Sequence, residues 1–417
     1  MSDAASAATP PTLSRVRQWD RDDPLAGFKS RFALPEAVLY LDGNSLGAQP
    51  IAAREAVAKV MDQWRDELIQ AWNQGWFDAP ERLGDLLAPL IGARRGEVLV
   101  SDNITLNLYK VLGEVTAVAK PGRAVLSEGG NFPTDGYIAQ GFCRFAGLAH
   151  RWWPEGEALE EHLEGVGVVV LSHVNYRTGA VRDMADVTRR VHAAGAEVVW
   201  DLAHSAGALP VALNDCGVRY AVGCTYKYLN GGPGAPGFVY VAGERHDSEV
   251  WQPLSGWHGH AVPFAFDDDY RPADDIRRFR TGTHSAVIYA ALEASLTLWQ
   301  TVDMAQVRAK SLALSGLFQA TIAGHLNAYA IADITPAAAC RGSQVALLDA
   351  EHGYAIVQAL IARGVIGDYR DPGLMRFGFT PLYLSHEDVW RAGQALCEVL
   401  DSGEYLDPRF AVRGNVT

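Results

Sequence analysis

Lysine is the scarce residue of this chain. Of 36 basic residues only six are lysine: Lys29, Lys59, Lys110, Lys120, Lys227 and Lys310. Arginine therefore carries the basic surface, and a lysine set among aromatics calls for a reason beyond solubility. Positive charge as a whole is short: the formal net charge of -13 argues against nucleic acid or an anionic membrane surface as the main partner. Long apolar runs are missing. The stretch "VGVVVL" (166–171) has the length of a buried strand, so no membrane span is expected. The cysteines (Cys143, Cys216, Cys224, Cys340 and Cys397) are odd in number, scattered and without a CxxC. That excludes a disulfide framework and fits a reducing, cytoplasmic location. "MSDAASAATPPTLSR" lacks a basic start and an apolar core, so it reads as a flexible tail and not as a secretory signal. HExxH and the Walker A lysine motif are absent, and "HGH" (258–260) lacks further ligand spacing, so no metal is expected.

What remains is an ordinary globular composition, 48% hydrophobic and 20% charged over 417 residues. A short strand runs from Val38 to Leu41 into the Gly-rich turn "DGNSLG". A helix follows Pro50, with Val57, Val60, Met61, Trp64 and Leu68 at helical spacing. The middle alternates apolar strands ("EVLV", "RAVLSE", "VGVVVLS", "AEVVWD", "YAVGC", "GFVYV") with helices such as "ITLNLYKVLGEV" and "DMADVTRRVHAAG". Continuous apolar strands separated by helices predict an α/β domain with a mainly parallel sheet. In such sheets functional groups collect beyond the strand carboxyl ends, where Ser172 and Asp201 fall. After about Ser285 a helical stretch and looser strands ("SQVALLDA", "LMRFGFT") predict a smaller α+β C-terminal lobe. The expected division is a tail over 1–24, an N-terminal segment over 25–64 packing with the small domain, a large domain over 65–290 and a small domain over 291–417. Asp267, Asp268 and Asp269 read as a solvated loop.

Two literal motif matches are set aside. Gly232, Gly234 and Gly237 satisfy GxGxxG, but two prolines interrupt the motif and a strand follows where a helix should. Gly43, Ser45 and Gly47 satisfy GxSxG, but only one short strand precedes them, so a serine hydrolase built on Ser45 is the remote alternative. The pair that carries chemistry is Lys227, in "CTYKYLNGGPGAPG", and Asp201, 26 residues upstream. A buried lysine is a Schiff-base nucleophile, and pyridoxal 5'-phosphate (PLP) enzymes add an acid that keeps the pyridine nitrogen protonated. His204 lies three residues after the aspartate. An aspartate after a strand is also a common helix cap, and a tyrosine-flanked lysine a common snorkelling residue; together the two favour the cofactor. The start of "SDNITLN" offers backbone amides at Ile104 and Thr105 for a phosphate, with Asp102 or Asn103 as cap. Arg376 in "LMRFGFTPL" is a candidate fork for a carboxylate.

These residues stand within segments that resemble kynureninase: "YLDGNSLGAQP", "NFPTDGY", "HVNYRTG", "DLAHSAGALP", "CTYKYLNGGPGAPG", "SGWHGH", "FRTGTHS" and "MRFGFTPLY", from about Leu34 to about Cys397. The resemblance implies the PLP-dependent transferase fold type I, aspartate-aminotransferase-like, in its class V branch. It implies hydrolysis of L-kynurenine to anthranilate and L-alanine, a step of tryptophan catabolism and NAD biosynthesis. It implies that Lys227 holds the cofactor covalently, that Asp201 pairs with the pyridine nitrogen and that His204 supports it. Phe132 would lie against the ring and Asp135 beside it, with Ser172 near the cofactor. Ile104, Thr105, Tyr226, Trp257 and Thr283 would surround the phosphate, the last two from a second subunit, so a homodimer with its active site at the interface is expected. Arg376 would hold the amino-acid substrate's carboxylate near Asn44 and Ser45, and Tyr226 is a candidate for proton transfer. Thr283 and Trp76 stand where some relatives have Asn and His; both border the aryl pocket, and the reading leans to kynurenine over 3-hydroxykynurenine. Rival readings are another fold type I enzyme, an aminotransferase or a cysteine desulfurase using Cys340.

Overall fold

The computed structural model describes residues 11–118, 123–246 and 249–414. The chain forms two compact units. One comprises Ala52–Tyr176 and Arg182–Thr301; the other takes the chain up to Ile51, the short segment Arg177–Val181 and the chain from Val302 on. The boundaries expected at 64/65 and 290/291 would cut the helices Ile51–Glu67 and Ala286–Trp299. A helix packs as one rigid rod, so the observed boundaries fall at helix ends.

The larger unit is built on seven strands: β1 (Val98–Val100), β2 (Ala124–Glu128), β3 (His150–Trp153), β4 (Val166–Ser172), β5 (Glu197–Asp201), β6 (Tyr220–Cys224) and β7 (Gly237–Val241). Their order is β1-β7-β6-β5-β4-β2-β3. Only β7 runs against its neighbours; the other pairings are parallel. Every residue of β4 is buried, as a strand covered on both faces requires. Helices Ile104–Val118 and Pro133–Ala146 lay Leu108, Val111, Val115, Ala139 and Phe142 on a sheet face made by Leu99, Val125, Val168, Val199 and Val222. Fully burying side chains of this size contributes roughly 1.5–3 kcal/mol each. Register places Ser172 opposite Asp201 at the carboxyl ends of β4 and β5. The loop that mimicked a dinucleotide fingerprint turns through Gly232 (φ +98°) and Gly234 (φ +73°) into β7.

The second unit holds an antiparallel sheet: β8 (Ala332–Asp333), β9 (Gln344–Leu348), β10 (Asp368–Arg370) and β11 (Leu374–Gly378), in the order β8-β9-β11-β10. Its long helices are Met304–Ala328 and His386–Ser402, the latter opened by a capping box of Ser385 and Asp388. The tail expected over 1–24 is corrected in part: Leu13–Asp22 is helical, while residues 1–10 lie outside the described residues. The helix buries little besides Val16, so periodicity does not reveal it. Docking holds it. Asp20 accepts from the backbone N–H groups of His386 (2.6 Å) and Glu387 (3.0 Å), capping the helix that begins there. Arg17 pairs with Glu387, and the Trp390 indole donates to the Pro11 carbonyl.

The helix Ile51–Glu67 has the expected place, but its apolar residues do not all turn inward. Val60 is buried, whereas Met61 and Trp64 are exposed, as is Leu68 just beyond the helix. Asp267, Asp268 and Asp269 are exposed. Among the described residues no helix is long and apolar enough to cross a membrane.

Candidate active site

The carboxyl ends of β4 and β5 gather the expected cluster in the larger unit. Asp201 ends β5 and is buried. One of its oxygens accepts from the backbone N–H of Ala203 at 2.8 Å; the other lies 3.4 Å from the Ser172 hydroxyl. Ser172 also donates to the Asn131 side-chain oxygen at 2.5 Å, and the Asn131 amide donates to Asp135 at 3.1 Å. Burial pushes the Asp201 carboxyl up, offset in part by the Ala203 amide and by Lys227. Asp135 is pushed well above its ordinary range, by burial first and then by the charge of Asp201. Both shifts have burial as their first cause, and for Asp135 the charge of Asp201 adds to it.

Lys227 lies nine-tenths buried beside this pair, its Nζ 2.9 Å from His204 Nε2. The amine stands 5.7 Å from the ring centre of Phe132 and 5.9 Å from that of Tyr226. Phe132 caps the helix Pro133–Ala146, with Pro133 at its first position, which brings "NFPTD" onto the strand ends. Burial first, then the Cys224 side chain, pushes the Tyr226 hydroxyl far up, so at neutral pH it keeps its proton.

Burial alone does not single out Lys227, because Lys110 and Lys310 are buried too. Their partners differ. Lys110 Nζ is held at 2.7 Å by both the Asp102 carboxylate and the Phe279 carbonyl. Lys310 is held by Asp23 at 2.7 Å and the Pro381 carbonyl at 2.6 Å. Each of those two ammonium groups is occupied by two oxygens, whereas Lys227 Nζ meets an imidazole nitrogen.

Asn103 caps the helix Ile104–Val118 by accepting from the Leu106 N–H at 3.1 Å, and Asp102 is committed to Lys110. Ile104 and Thr105 follow at the half-buried helix start. Trp257 and Thr283 lie elsewhere in this unit and are exposed. Trp257 heads a ring cluster with His258 (4.0 Å), Phe264 (5.7 Å) and Phe266 (6.4 Å). His258 of "HGH" is occupied by Arg280 at 3.1 Å, and burial lowers its pKa to about 4. Trp76 donates to Gln63, stands edge-on to Trp72 at 5.8 Å, and lines a groove of about 630 Å³ with the helices Ile51–Glu67 and Ala286–Trp299.

The second unit gathers Arg376, Ser45 and Asn44. Arg376 Nε donates to Asp368 Oδ1 at 2.7 Å, and its Nη2 donates to Asp368 Oδ2. The two residues face each other across β10 and β11. The Ser45 hydroxyl donates to Asp368 at 2.8 Å, with no imidazole among its recorded partners, so the hydrolase alternative finds no base there. Asn44 is fully buried, and neither atom of its amide has a partner.

Asn131, Asp42 and Asp368 are the residues that motif reading missed. Asn131 sits inside "NFPTDGY", where its neighbours drew the attention. Asp368 was detectable only through the hairpin register that sets it opposite Arg376.

The site's chemistry fits a pyridine cofactor: Asp135 and Asp201 are more carboxyl than Lys227 alone balances, which suits a cationic ring nitrogen. The fold agrees. The chain is similar to the cysteine desulfurase CsdA from Escherichia coli (TM-score 0.75, 19% identity, 91% of this chain and 98% of that one). It is equally similar to a C-DES mutant with glycine covalently linked to its PLP cofactor (TM-score 0.75, 21% identity, 88% and 98%). Fold and site together define a PLP-dependent enzyme of fold type I. Residues 307–396 match the model of the kynureninase C-terminal domain. The chain is 47% identical over 407 residues to the kynureninase of Burkholderia pseudomallei strain 1106a, covering 95% of this chain and 98% of that protein. It is 48% identical over 408 residues to that of Pseudomonas fluorescens, with the same coverage. The chain belongs to the kynureninase family. It is a PLP-dependent hydrolase acting on a carbon–carbon bond.

Proposed function

We propose that the site around Lys227 hydrolyses L-kynurenine to anthranilate and L-alanine, with 3-hydroxykynurenine as the lesser substrate. The observation that carries the reading is the buried set of Lys227, His204, Asp201 and Asp135 at the strand ends. When bound, pyridoxal phosphate supplies an electron sink for negative charge developing on the substrate carbons next to its amine. Lys227 would hold the cofactor through Nζ, and its free amine would take the proton from the substrate Cα. Asp201 would keep the ring nitrogen protonated, with Asp135 beside it as a second buried acid. Ser172 and Asn131 orient the two carboxyls. Phe132 covers one ring face. Ile104 and Thr105 offer helix-start amides to the phosphate, joined by Tyr226 and by Trp257 and Thr283 of a second copy. Tyr226, protonated at neutral pH, would give the proton that the β-carbon retained in alanine needs once anthranilate departs. Arg376 pairs with the substrate carboxylate beside Asn44 and Ser45, and Trp76 borders the aryl group.

Two features support a homodimer. Trp64 (59% exposed) and Ile69 (77% exposed) stand uncovered at the end of one helix and just beyond it, and Phe266 (76% exposed) stands uncovered in the Trp257 ring cluster. Apolar residues left in water in this number mark an interface. Five free cysteines and the lack of a membrane-crossing helix among the described residues fit a cytoplasmic enzyme.

The deciding experiment compares products. Purified holoenzyme given L-kynurenine should release fluorescent anthranilate, and given L-cysteine should release no sulfide. Sulfide without anthranilate would reverse the assignment toward the desulfurase reading.

A further inference from the structure

The carboxylate site of the second unit contains one acid more than it needs. Asp368 is fully buried and is held below the usual carboxylate range against the cost of burial, by Arg376 and then by Arg370. Asp42, on the turn that carries Asn44 and Ser45, is also buried. It bridges to Gly378 at the end of β11 and lies within hydrogen-bonding reach of the Ser45 hydroxyl. That hydroxyl has one proton, and it goes to Asp368 at 2.8 Å. Asp42 and Asp368 thus share one serine hydroxyl between two buried carboxyls. Its Oδ1 has no partner, nor does the amide of the adjoining Asn44, so the turn presents buried polar atoms that a bound ligand would satisfy.

The charged and titratable groups facing Asp42 are Asp368, Arg376, Arg370 and Tyr40. Burial first, then the charge of Asp368, pushes Asp42 up to about 7, with the Ser45 hydrogen bond and then the two arginines acting in the opposite sense. An Asp42 that loses its proton adds a second negative charge beside Asp368. A ligand carboxylate would bring a third to the same guanidinium.

We propose that Asp42 is a positioning residue that makes carboxylate binding at Arg376 depend on a proton: neutral Asp42 admits the carboxylate, and ionised Asp42 repels it. The inference rests on the reading of Arg376 as the substrate's carboxylate partner.

The test uses holoenzyme and 3-benzoylpropionate, which keeps the aryl ketone and carboxylate of L-kynurenine and lacks the amine that would displace Lys227. Binding is measured calorimetrically. In the wild type, affinity should fall about tenfold or more between about pH 6 and about pH 8.5, by proton linkage at a single group. In Asp42→Asn the fall should shrink to about twofold or less, because residue 42 stays neutral throughout. An unchanged fall in Asp42→Asn overturns the proposal, as does a flat wild-type profile. Arg376→Lys separates the underlying reading: undiminished binding there removes the carboxylate site itself, whatever Asp42 does. Should Asp42→Asn not fold, heats measured in two buffers of different ionisation enthalpy decide on the wild type. Uptake approaching one proton per ligand at about pH 8 supports the proposal, and no uptake overturns it.

Discussion

The two buried carboxyl clusters of this chain make opposite use of the same parts. In the larger unit Asp135 and Asp201 share one lysine, and both carboxyls are pushed up. In the second unit Asp368 faces Arg376 and Arg370 and is held down, while Asp42 beside it is pushed up to about 7. The cation makes the difference. A guanidinium stays charged and grips two oxygens at once; an ammonium can give up its proton and leave. The cluster we propose for the chemistry holds the removable cation, and the cluster we propose for carboxylate binding holds the permanent one.

Removing the removable cation should have the largest effect. Lys227→Ala is expected to lower kcat by about 10⁴-fold or more, as loss of a covalent catalytic group does, measured by anthranilate fluorescence. Near-normal turnover would place the chemistry elsewhere. Breaking its acidic partner comes next. Asp201→Asn should retain cofactor absorbance and lose about 10²–10³-fold in kcat, the usual scale for one preorganised electrostatic contact. If kcat stays within a few-fold, the pyridine-nitrogen role is wrongly assigned. On the binding side, Asp368→Asn leaves Arg376 without its bidentate partner. It should raise KM for L-kynurenine by about 10–100-fold with a smaller change in kcat, on the scale of a broken buried charge pair. A loss confined to kcat would move Asp368 out of the binding role. The smallest effect lies away from both clusters. Asp20→Ala removes the carboxylate that caps the helix His386–Ser402 and should cost about 0.5–2 kcal/mol, read as a lowered Tm with unchanged KM.

Local pattern carried much of this. The sheet strands are apolar runs, Asp183 caps its helix by accepting from the Asp186 N–H, and Gly195 follows that helix at φ +74°. Lys227 and Asp201 were legible as a pair because Asp201 ends one strand of the α/β domain and Lys227 follows the next by three residues. Three things were not legible, each because long-range contacts decide it. The helix Leu13–Asp22 owes its place to Asp20 and Arg17 meeting a helix more than 360 residues away. Asp368 meets Arg376 through strand register, and Asp42 meets both through the turn before Ser45. Scarcity of lysine suggested that a buried one is special, yet Lys110 and Lys310 are buried for structural reasons that only their oxygen partners disclose.

That contrast gives the most direct measurement. Borohydride reduction of the holoenzyme fixes the cofactor to whichever lysine holds it, and peptide mass spectrometry reads the position. The account requires a pyridoxyl group on Lys227 and none on Lys110 or Lys310. Label on either of those, or no label at all, would contradict it.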